Sequence, residues 1–246
     1  MEPVSASTPR PVRRALLAQS WSELSFLHWQ VDPELVAPLL PAGTRPDLFE
    51  GRAHAGLVPF RMRGVGPAPG LGVPYLGSFA ETNVRLYSVD EAGRRGVVFR
   101  SLDAARLLPV LVARLALRLP YVWASMRVRR AGGVVRYTSR RLPFGPRSEI
   151  AVRPGERIAE PTPLEHFLTA RWGMHVPWYG GTRYLPNEHP PWPLHRAELL
   201  ECADELLAAA GLPVGDADPV SVLWSPGVPV RFGSTRPRAA RGPRPW

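Results

Sequence analysis

One stretch decides the interpretation of this chain: Glu81-Thr82-Asn83-Val84-Arg85-Leu86-Tyr87. Side chains of a β-strand alternate between its two faces. An extended conformation therefore puts a carboxylate, an amide, a guanidinium and a phenol (residues 81, 83, 85 and 87) on one face, and the apolar or small side chains of residues 82, 84 and 86 on the other. Such a polar row either lines an enclosed cavity or forms the water-facing side of a half-buried strand.

Outward from this stretch, most of the chain has strand character. Glycine and proline are frequent and dispersed, which favours many short strands over long helices. β-Branched and aromatic residues bounded by turn residues predict strands at residues 24–31, 53–62, 79–89, 96–102, 122–129, 134–140, 148–152 and 220–224.

Four helices are predicted between these strands. Asp32 caps the first and Asp103 the second, which runs towards Leu119, while Thr162 opens the third with a capping box. The fourth is expected over residues 196–210, ending at Gly211. The fold class is therefore α+β, mainly antiparallel β, with peripheral helices.

The charge pattern separates the two ends of the chain from its middle. The net charge is +10, and all 31 Lys and Arg side chains are arginine. Much of this charge falls in residues 1–14 and in the Arg/Pro-rich residues 232–246, which we predict to be disordered tails around a single domain at 15–231. Because basic and aromatic residues are not combined on a folded face, no nucleic-acid partner is expected.

Several chemistries have no support in the sequence. Cys202, the single cysteine, falls in the fourth predicted helix and is expected to be a small buried apolar residue. No CxxC or HExxH motif occurs, so no metal and no cofactor are predicted. The longest apolar stretch, residues 107–119, is too short and too charged to span a bilayer, and no signal peptide pattern is present. A cytoplasmic location and no membrane partner are expected.

Several stretches, in their order and spacing, resemble the YqjF-like family of uncharacterised bacterial proteins, whose fold is similar to that of acetoacetate decarboxylase. They lie at residues 21–33, 39–43, 47–51, 58–60, 81–87, 101–104, 119–121, 137–140, 167–172 and 189–194. The resemblance implies a closed, cone-like antiparallel barrel whose interior forms a pocket.

The same resemblance marks a departure at the reactive position. In the decarboxylase a lysine follows a turn and forms an imine with the keto acid, and a glutamate sits opposite it. Glu81 matches that glutamate, but the matching turn is followed by Tyr121 and Val122, and the chain contains no lysine. Decarboxylation through a lysine Schiff base is therefore excluded, because arginine stays protonated and cannot form the imine.

The candidate site follows from the polar row and its surroundings. We assign Glu81 as general acid or base and Tyr121 as a hydrogen-bond donor in catalysis. Asn83 and Arg85 are predicted to bind the substrate, Arg85 through a carboxylate or enolate oxygen. Three further substrate-binding residues are predicted outside the row: Arg140, Arg171 and Trp172.

Three functions remain open from the sequence. The first is a protein that binds or transforms a small carbonyl or carboxylate compound, with lyase- or hydrolase-type chemistry. The second is a non-catalytic ligand-binding module that uses the same pocket. The third is a structural or interaction protein in which Glu81 and Arg85 form a structural network. The sequence defines no oligomeric state.

Overall fold

The structure, a computed structural model, describes residues 1–68, 77–107, 118–215 and 217–233. Most of the second predicted helix and of the C-terminal tail lies outside these residues. The strands are β1 (Ala15–Val31), β2 (Thr44–Pro46), β3 (Ala53–Pro67), β4 (Phe79–Asp90), β5 (Arg95–Ala104), β6 (Tyr121–Ala131), β7 (Val134–Arg141), β8 (Arg147–Arg157), β9 (Gly173–Trp178), β10 (Gly181–Glu188), β11 (His195–Asp204) and β12 (Ser221–Gly233). The helices are α1 (Pro33–Val36), continued by a 3₁₀ turn at Ala37–Leu39, α2 (Pro163–Thr169) and α3 (Leu206–Ala209).

Nine strands form a closed barrel. Their order is β5-β6-β7-β8-β11-β12-β1-β3-β4, and the pairing of β4 with β5 closes it. All neighbours in this circuit are antiparallel except β5 and β6, which are parallel. The closed, mainly antiparallel barrel expected from the sequence is confirmed, and all eight predicted strands occur in it.

The hairpin of β9 and β10 creates a second compartment. β9 pairs with β5 through Val97 and Met174, and β10 pairs with β12 through residues 187–188 and 231–232. The circuit β5-β9-β10-β12-β1-β3-β4 is thereby also closed. Strands β12, β1, β3, β4 and β5 form a wall that both compartments share.

Alternation along β4 gives the shared wall two different faces. Val84 and Leu86 are fully buried in a core that includes Val135 of β7 and Ile150 of β8, and this core fills the nine-stranded barrel. The odd-numbered residues from 79 to 85 face the other compartment and line a cavity there. Because both faces are covered, β4 is buried along nearly its whole length.

Two predicted helix starts are confirmed. The Asp32 carboxylate accepts a hydrogen bond of 2.8 Å from the backbone N–H of Glu34 and caps α1. Thr162 and Glu165 form the predicted capping box at α2, with reciprocal bonds of 3.2 and 2.7 Å. These local signals work because they satisfy N–H groups that have no partner inside a helix.

The fourth predicted helix is wrong over most of its length. Residues 195–204 form β11, which pairs with β8 from His195 to Asp204, and only Leu206–Ala209 are helical. Strand pairing within the barrel overrides the helix propensity of these Ala, Glu and Leu residues. Cys202, expected to be a buried helical residue, is instead exposed on β11.

Asp103 does not cap a helix. It lies in β5, is fully buried, and accepts hydrogen bonds of 2.8 and 2.9 Å from the guanidinium of Arg141. The carboxylate therefore joins β5 to β7 across β6. An aspartate looks the same in a sequence whether it caps a helix or lies buried in a strand. Only its hydrogen-bond partner in the structure distinguishes the two roles.

Residues 1–14, for which we predicted a disordered tail, contact the barrel. The indole N–H of Trp172 donates to the Ser5 carbonyl at 3.1 Å, and the Val12 N–H donates to Glu188 at 2.8 Å. Val12 itself is buried. At the other end, β12 continues to Gly233, two residues into the predicted C-terminal tail. None of the described helices is both long and apolar enough to cross a membrane.

Candidate functional site

A cavity of about 660 Å³ lies on the side of the shared wall opposite the packed core. The β9–β10 hairpin covers one side of it, and the polar row of β4 forms part of its floor. Most of its lining is aliphatic or aromatic. The polar and charged lining residues are Gln19, Glu81, Asn83, Arg85, Tyr121, Thr169, Arg171, Arg183, Asn187 and His189.

Glu81 forms one end of the polar row. Its side chain is 3% exposed, and Oε2 accepts a hydrogen bond of 3.1 Å from the hydroxyl of Tyr121. Burial raises the pKa of Glu81 from 4.5 to about 8; the bond from Tyr121 lowers it, and the Asp103 carboxylate raises it further. Glu81 is therefore protonated at neutral pH. Burial also raises the pKa of Tyr121 well above its usual value of 10.0.

Arg85 lies at the other end of the row. Its Nη2 donates to the Leu168 carbonyl at 2.9 Å, and its Nε donates to the Tyr87 hydroxyl at 3.1 Å. Gly56, the register partner of Arg85 on β3, leaves room for this arrangement, because a Cβ there would lie 3.1 Å from the Arg85 Cγ. Among the described residues no carboxylate forms an ion pair with Arg85.

Two further buried side chains, Tyr87 and His28, hold Arg85 in place. The Tyr87 hydroxyl donates its one proton to Leu168 at 2.9 Å, so its oxygen accepts from Arg85 and from Nε2 of His28 at 2.7 Å. Burial, with the charge of Arg85 next in importance, holds the pKa of His28 well below 6.5. A neutral His28 with its proton on Nε2 thus orients Tyr87, which in turn orients the guanidinium.

Two carboxamides on opposite sides of the cavity have unsatisfied atoms. Asn83 on β4 and Asn187 on β10 are both more than nine-tenths buried, and Oδ1 of each finds no hydrogen-bond partner within the described part of the chain. A buried polar atom without a partner costs about 1–3 kcal/mol. A ligand with hydrogen-bonding groups would remove that cost.

Arg171 lines the cavity and has its own anion. Its Nη1 contacts the Asp47 carboxylate at 2.5 Å, and its Nε donates to the Phe167 carbonyl at 2.8 Å. Asp47 also accepts from Arg95 at 2.5 Å. Asp47 carries one negative charge for two guanidiniums, so it compensates Arg171 only in part, whereas Arg85 has no carboxylate partner among the described residues.

The structure does not bring all the predicted site residues together. Glu81, Tyr121, Asn83, Arg85 and Arg171 line one cavity. Trp172 is buried but does not line the cavity; its ring lies 4.5 Å from that of His189, at a tilt of 34°.

Arg140 is exposed on the outer face of β7, because alternation along this strand turns the even-numbered residues outward. Its neighbours at positions 139 and 137 are buried, so a substitution at Arg140 provides a control outside the cavity.

Sequence reasoning missed part of the wall. Trp21 and Trp192 stack in parallel at 5.9 Å, Phe26 packs edge-on against Trp192 at 5.1 Å, and all three line the cavity. Trp192 lies far from β4 in sequence and reaches the site only through the barrel closure. The sequence did carry a signal for Phe26. It is next to Leu27 on β1, so alternation places it on the strand face opposite this core residue.

His189 adds a neutral ring to this wall. Burial lowers its pKa to about 4, while its hydrogen bond to the Pro190 carbonyl raises the pKa and the Arg85 charge lowers it. Among the described residues, no group of three or more His, Cys, Asp or Glu side chains is placed to hold a metal ion.

These features describe a chamber with mostly apolar walls, one neutral carboxylic acid and, in Arg85, a buried guanidinium that has no carboxylate partner among the described residues. The arrangement can bind an anionic group at Arg85 and can donate a proton or hydrogen bond from Glu81. It offers no amine for covalent catalysis, since the chain contains no lysine.

Comparisons with known sequences match nearly the whole described chain. The model of the family DUF2071, described as an uncharacterized conserved protein, matches residues 18–229. The uncharacterized protein YqjF of Bacillus subtilis (strain 168) is 30% identical over 208 residues, which cover 83% of this chain and 86% of that protein.

Solved structures show the same fold at low identity. An acetoacetate decarboxylase-like enzyme from Sphingomonas wittichii RW1 superimposes with a TM-score of 0.59 at 14% identity, covering 91% of this chain and 93% of that one. The acetoacetate decarboxylase of Legionella pneumophila gives a TM-score of 0.59 at 13% identity, covering 94% and 93%. The enduracididine biosynthesis enzyme MppR complexed with pyruvate gives 0.55 at 16% identity, covering 90% and 92%.

Proposed function

Because this chain belongs to the DUF2071 family, with YqjF as a homologue and an acetoacetate decarboxylase-like fold, we propose that its cavity binds a small carbonyl or carboxylate compound without covalent attachment. Glu81 then transfers a proton to or from the bound molecule. Two neighbours in fold, MppR and the decarboxylases, are enzymes, and MppR has been solved with pyruvate. They share the architecture with this chain, which contains no lysine.

The observation that carries the proposal is the state of Arg85. Its side chain is almost fully buried and lines the cavity, yet no carboxylate of the described chain pairs with it. A buried charge without a counter-ion is costly, and a ligand carboxylate or enolate is the group that compensates a planar guanidinium best. The site is therefore suited to an anion in the ligand-bound state.

Glu81 supplies the acid at the other end of the row. The folded protein keeps its proton up to a pH of about 8, so it donates to a carbonyl oxygen or to a carbon that gains electron density. A carboxyl whose pKa is close to the working pH also takes the proton back. Tyr121 holds the carboxyl in place through the 3.1 Å hydrogen bond to Oε2.

The test is untargeted mass spectrometry of small molecules retained by the purified protein. Wild type is compared with Arg85→Gln and with Arg140→Gln, which removes an exposed arginine outside the cavity. We expect a retained acid in wild type and Arg140→Gln and its loss in Arg85→Gln. Retention that is unchanged in Arg85→Gln contradicts the proposal.

The catalytic part is tested separately with Glu81→Gln. This substitution keeps the shape and hydrogen bonding of the side chain but removes proton transfer, so turnover of the identified compound should fall by about 100-fold or more. Binding should change little. Equal turnover in both proteins contradicts proton transfer by Glu81, and no turnover in either protein assigns the cavity to binding alone.

A further inference from the structure

The cavity is much larger than a three-carbon acid needs. Its volume is about 660 Å³. If each of the six non-hydrogen atoms of pyruvate took up the ~30 Å³ of a liquid water molecule, pyruvate would fill roughly 180 Å³. A volume of this order is typical of pockets for ligands several times larger than pyruvate.

The walls around that space are aromatic. Trp21 has Phe60 edge-on at 6.0 Å and Trp192 stacked at 5.9 Å, and Phe232 lies 6.2 Å away on a further side. All four line the cavity. Rings in this arrangement contact a flat or chain-like apolar body and offer few hydrogen bonds to a small polar molecule.

The aromatic wall begins next to the guanidinium. The charged carbon of Arg85 lies 5.5 Å above the ring of Phe26, which packs edge-on against Trp192 at 5.1 Å. A carboxylate bound to Arg85 would therefore direct the rest of its molecule along Phe26 towards the two tryptophans.

The charges of the lining favour a negative group of the ligand at Arg85. Besides Arg85, the arginines of the described lining are Arg171, which is paired with Asp47, and Arg183, which is exposed and stacked 3.7 Å from the Trp178 ring. His189 is neutral at pH 7. Asp47 is shared with Arg95, so Arg85 is the buried arginine of the described lining that has no carboxylate partner at all, and the apolar walls disfavour a second carboxylate on the ligand.

We infer that the cavity selects a monocarboxylate with a bulky apolar or aromatic body, of about 10–20 non-hydrogen atoms, bound with its carboxylate on Arg85 and its body against Trp21 and Trp192. This inference rests on the proposed function, because it uses the same cavity and the same anion site. It adds the class of ligand: a large apolar acid and not a pyruvate-sized one.

The test is a series of acids titrated into the wild-type protein by calorimetry: pyruvate, hexanoate, decanoate and naphthalene-2-carboxylate, with decanamide as the uncharged control. Each buried methylene is worth about fourfold in affinity. Decanoate has four more methylenes than hexanoate and should therefore bind about 200-fold more tightly. Naphthalene-2-carboxylate should bind more tightly than pyruvate, and decanamide more weakly than decanoate.

Two variants separate size from charge. Val58 lines the cavity on β3, and Val58→Phe adds a ring to that space; it should weaken naphthalene-2-carboxylate at least about tenfold and leave pyruvate unchanged. Arg85→Gln should weaken every acid and leave decanamide unchanged. The wild-type series decides the question even where a variant folds poorly.

The outcomes distinguish the two claims. If affinity does not rise with size while Arg85→Gln still weakens every acid, the inference about ligand class is overturned and the proposed function stands. If no acid binds, or Arg85→Gln changes none of the affinities, the proposed function fails and the inference fails with it.

Discussion

The protonated state of Glu81 predicts an unusual dependence of stability on pH. The folded protein holds the Glu81 proton up to a pH of about 8, whereas the unfolded chain releases it above about 4.5. Between these values the unfolded state binds fewer protons, so the free energy of unfolding falls as the pH rises. Glu81→Gln cannot ionise and removes this contribution.

The magnitude follows from the pKa shift. Stability changes by about 1.36 kcal/mol per pH unit where the two states differ by one proton. From pH 6.5 to 8 wild type should lose about 2 kcal/mol relative to Glu81→Gln, and the histidine titrations near pH 6.5 are common to both proteins and cancel in this comparison. In a domain of this size that equals a melting-temperature difference that grows by roughly 4–8 °C.

The assay is thermal unfolding of wild type, Glu81→Gln and Glu149→Gln across pH 5.5 to 9. Glu149 is an exposed glutamate on β8 and provides the matched control. The Glu149→Gln curve should run parallel to wild type throughout. A constant difference between wild type and Glu81→Gln over pH 6.5–8 would refute the reasoning, because it would show that Glu81 is ionised in the folded protein.

Three further predictions concern the same site and its surroundings. Tyr121→Phe removes the hydrogen bond that lowers the pKa of Glu81, so the pH at which the stability difference levels off should move above about 8 in the same unfolding series. Deletion of residues 1–14 should lower the melting temperature by about 5 °C or more, since it removes buried Val12 and the Ser5 carbonyl that Trp172 bonds; an unchanged value would mean that these contacts contribute nothing. Borohydride reduction in the presence of pyruvate should trap no imine at any side chain, because the chain has no lysine, and a labelled side chain found by peptide mass mapping would contradict this.

The helix caps and the polar row were accessible from sequence for a local reason. The Thr162 capping box and the alternation of Glu81, Asn83 and Arg85 depend on residues a few positions apart, whose geometry the backbone period fixes. The absence of lysine also needs no structure to interpret, since no fold can supply a missing side-chain amine. These features set the chemistry that is available to the site.

Residues 195–204 were misassigned because their environment is not local. The Ala, Glu and Leu side chains of β11 favour a helix in isolation, but the open edges of β8 and β12 supply backbone partners that only the closed barrel provides. Asp103 was misread for the same reason, since its partner Arg141 lies 38 residues away in sequence.

The sequence by itself determined the strand-rich class, the two helix caps, the polar face of β4 and the exclusion of Schiff-base chemistry, because each depends on composition or on a short repeat. Only the tertiary structure decided that β9 and β10 close a second compartment, that Trp21 and Trp192 form its wall, and that Arg140 lies outside it. It also decided the charge states: Glu81 and Arg85 are four residues apart on one strand face, but burial keeps Glu81 protonated and Arg85 unpaired. Desolvation depends on everything packed around a group, and no sequence spacing encodes it.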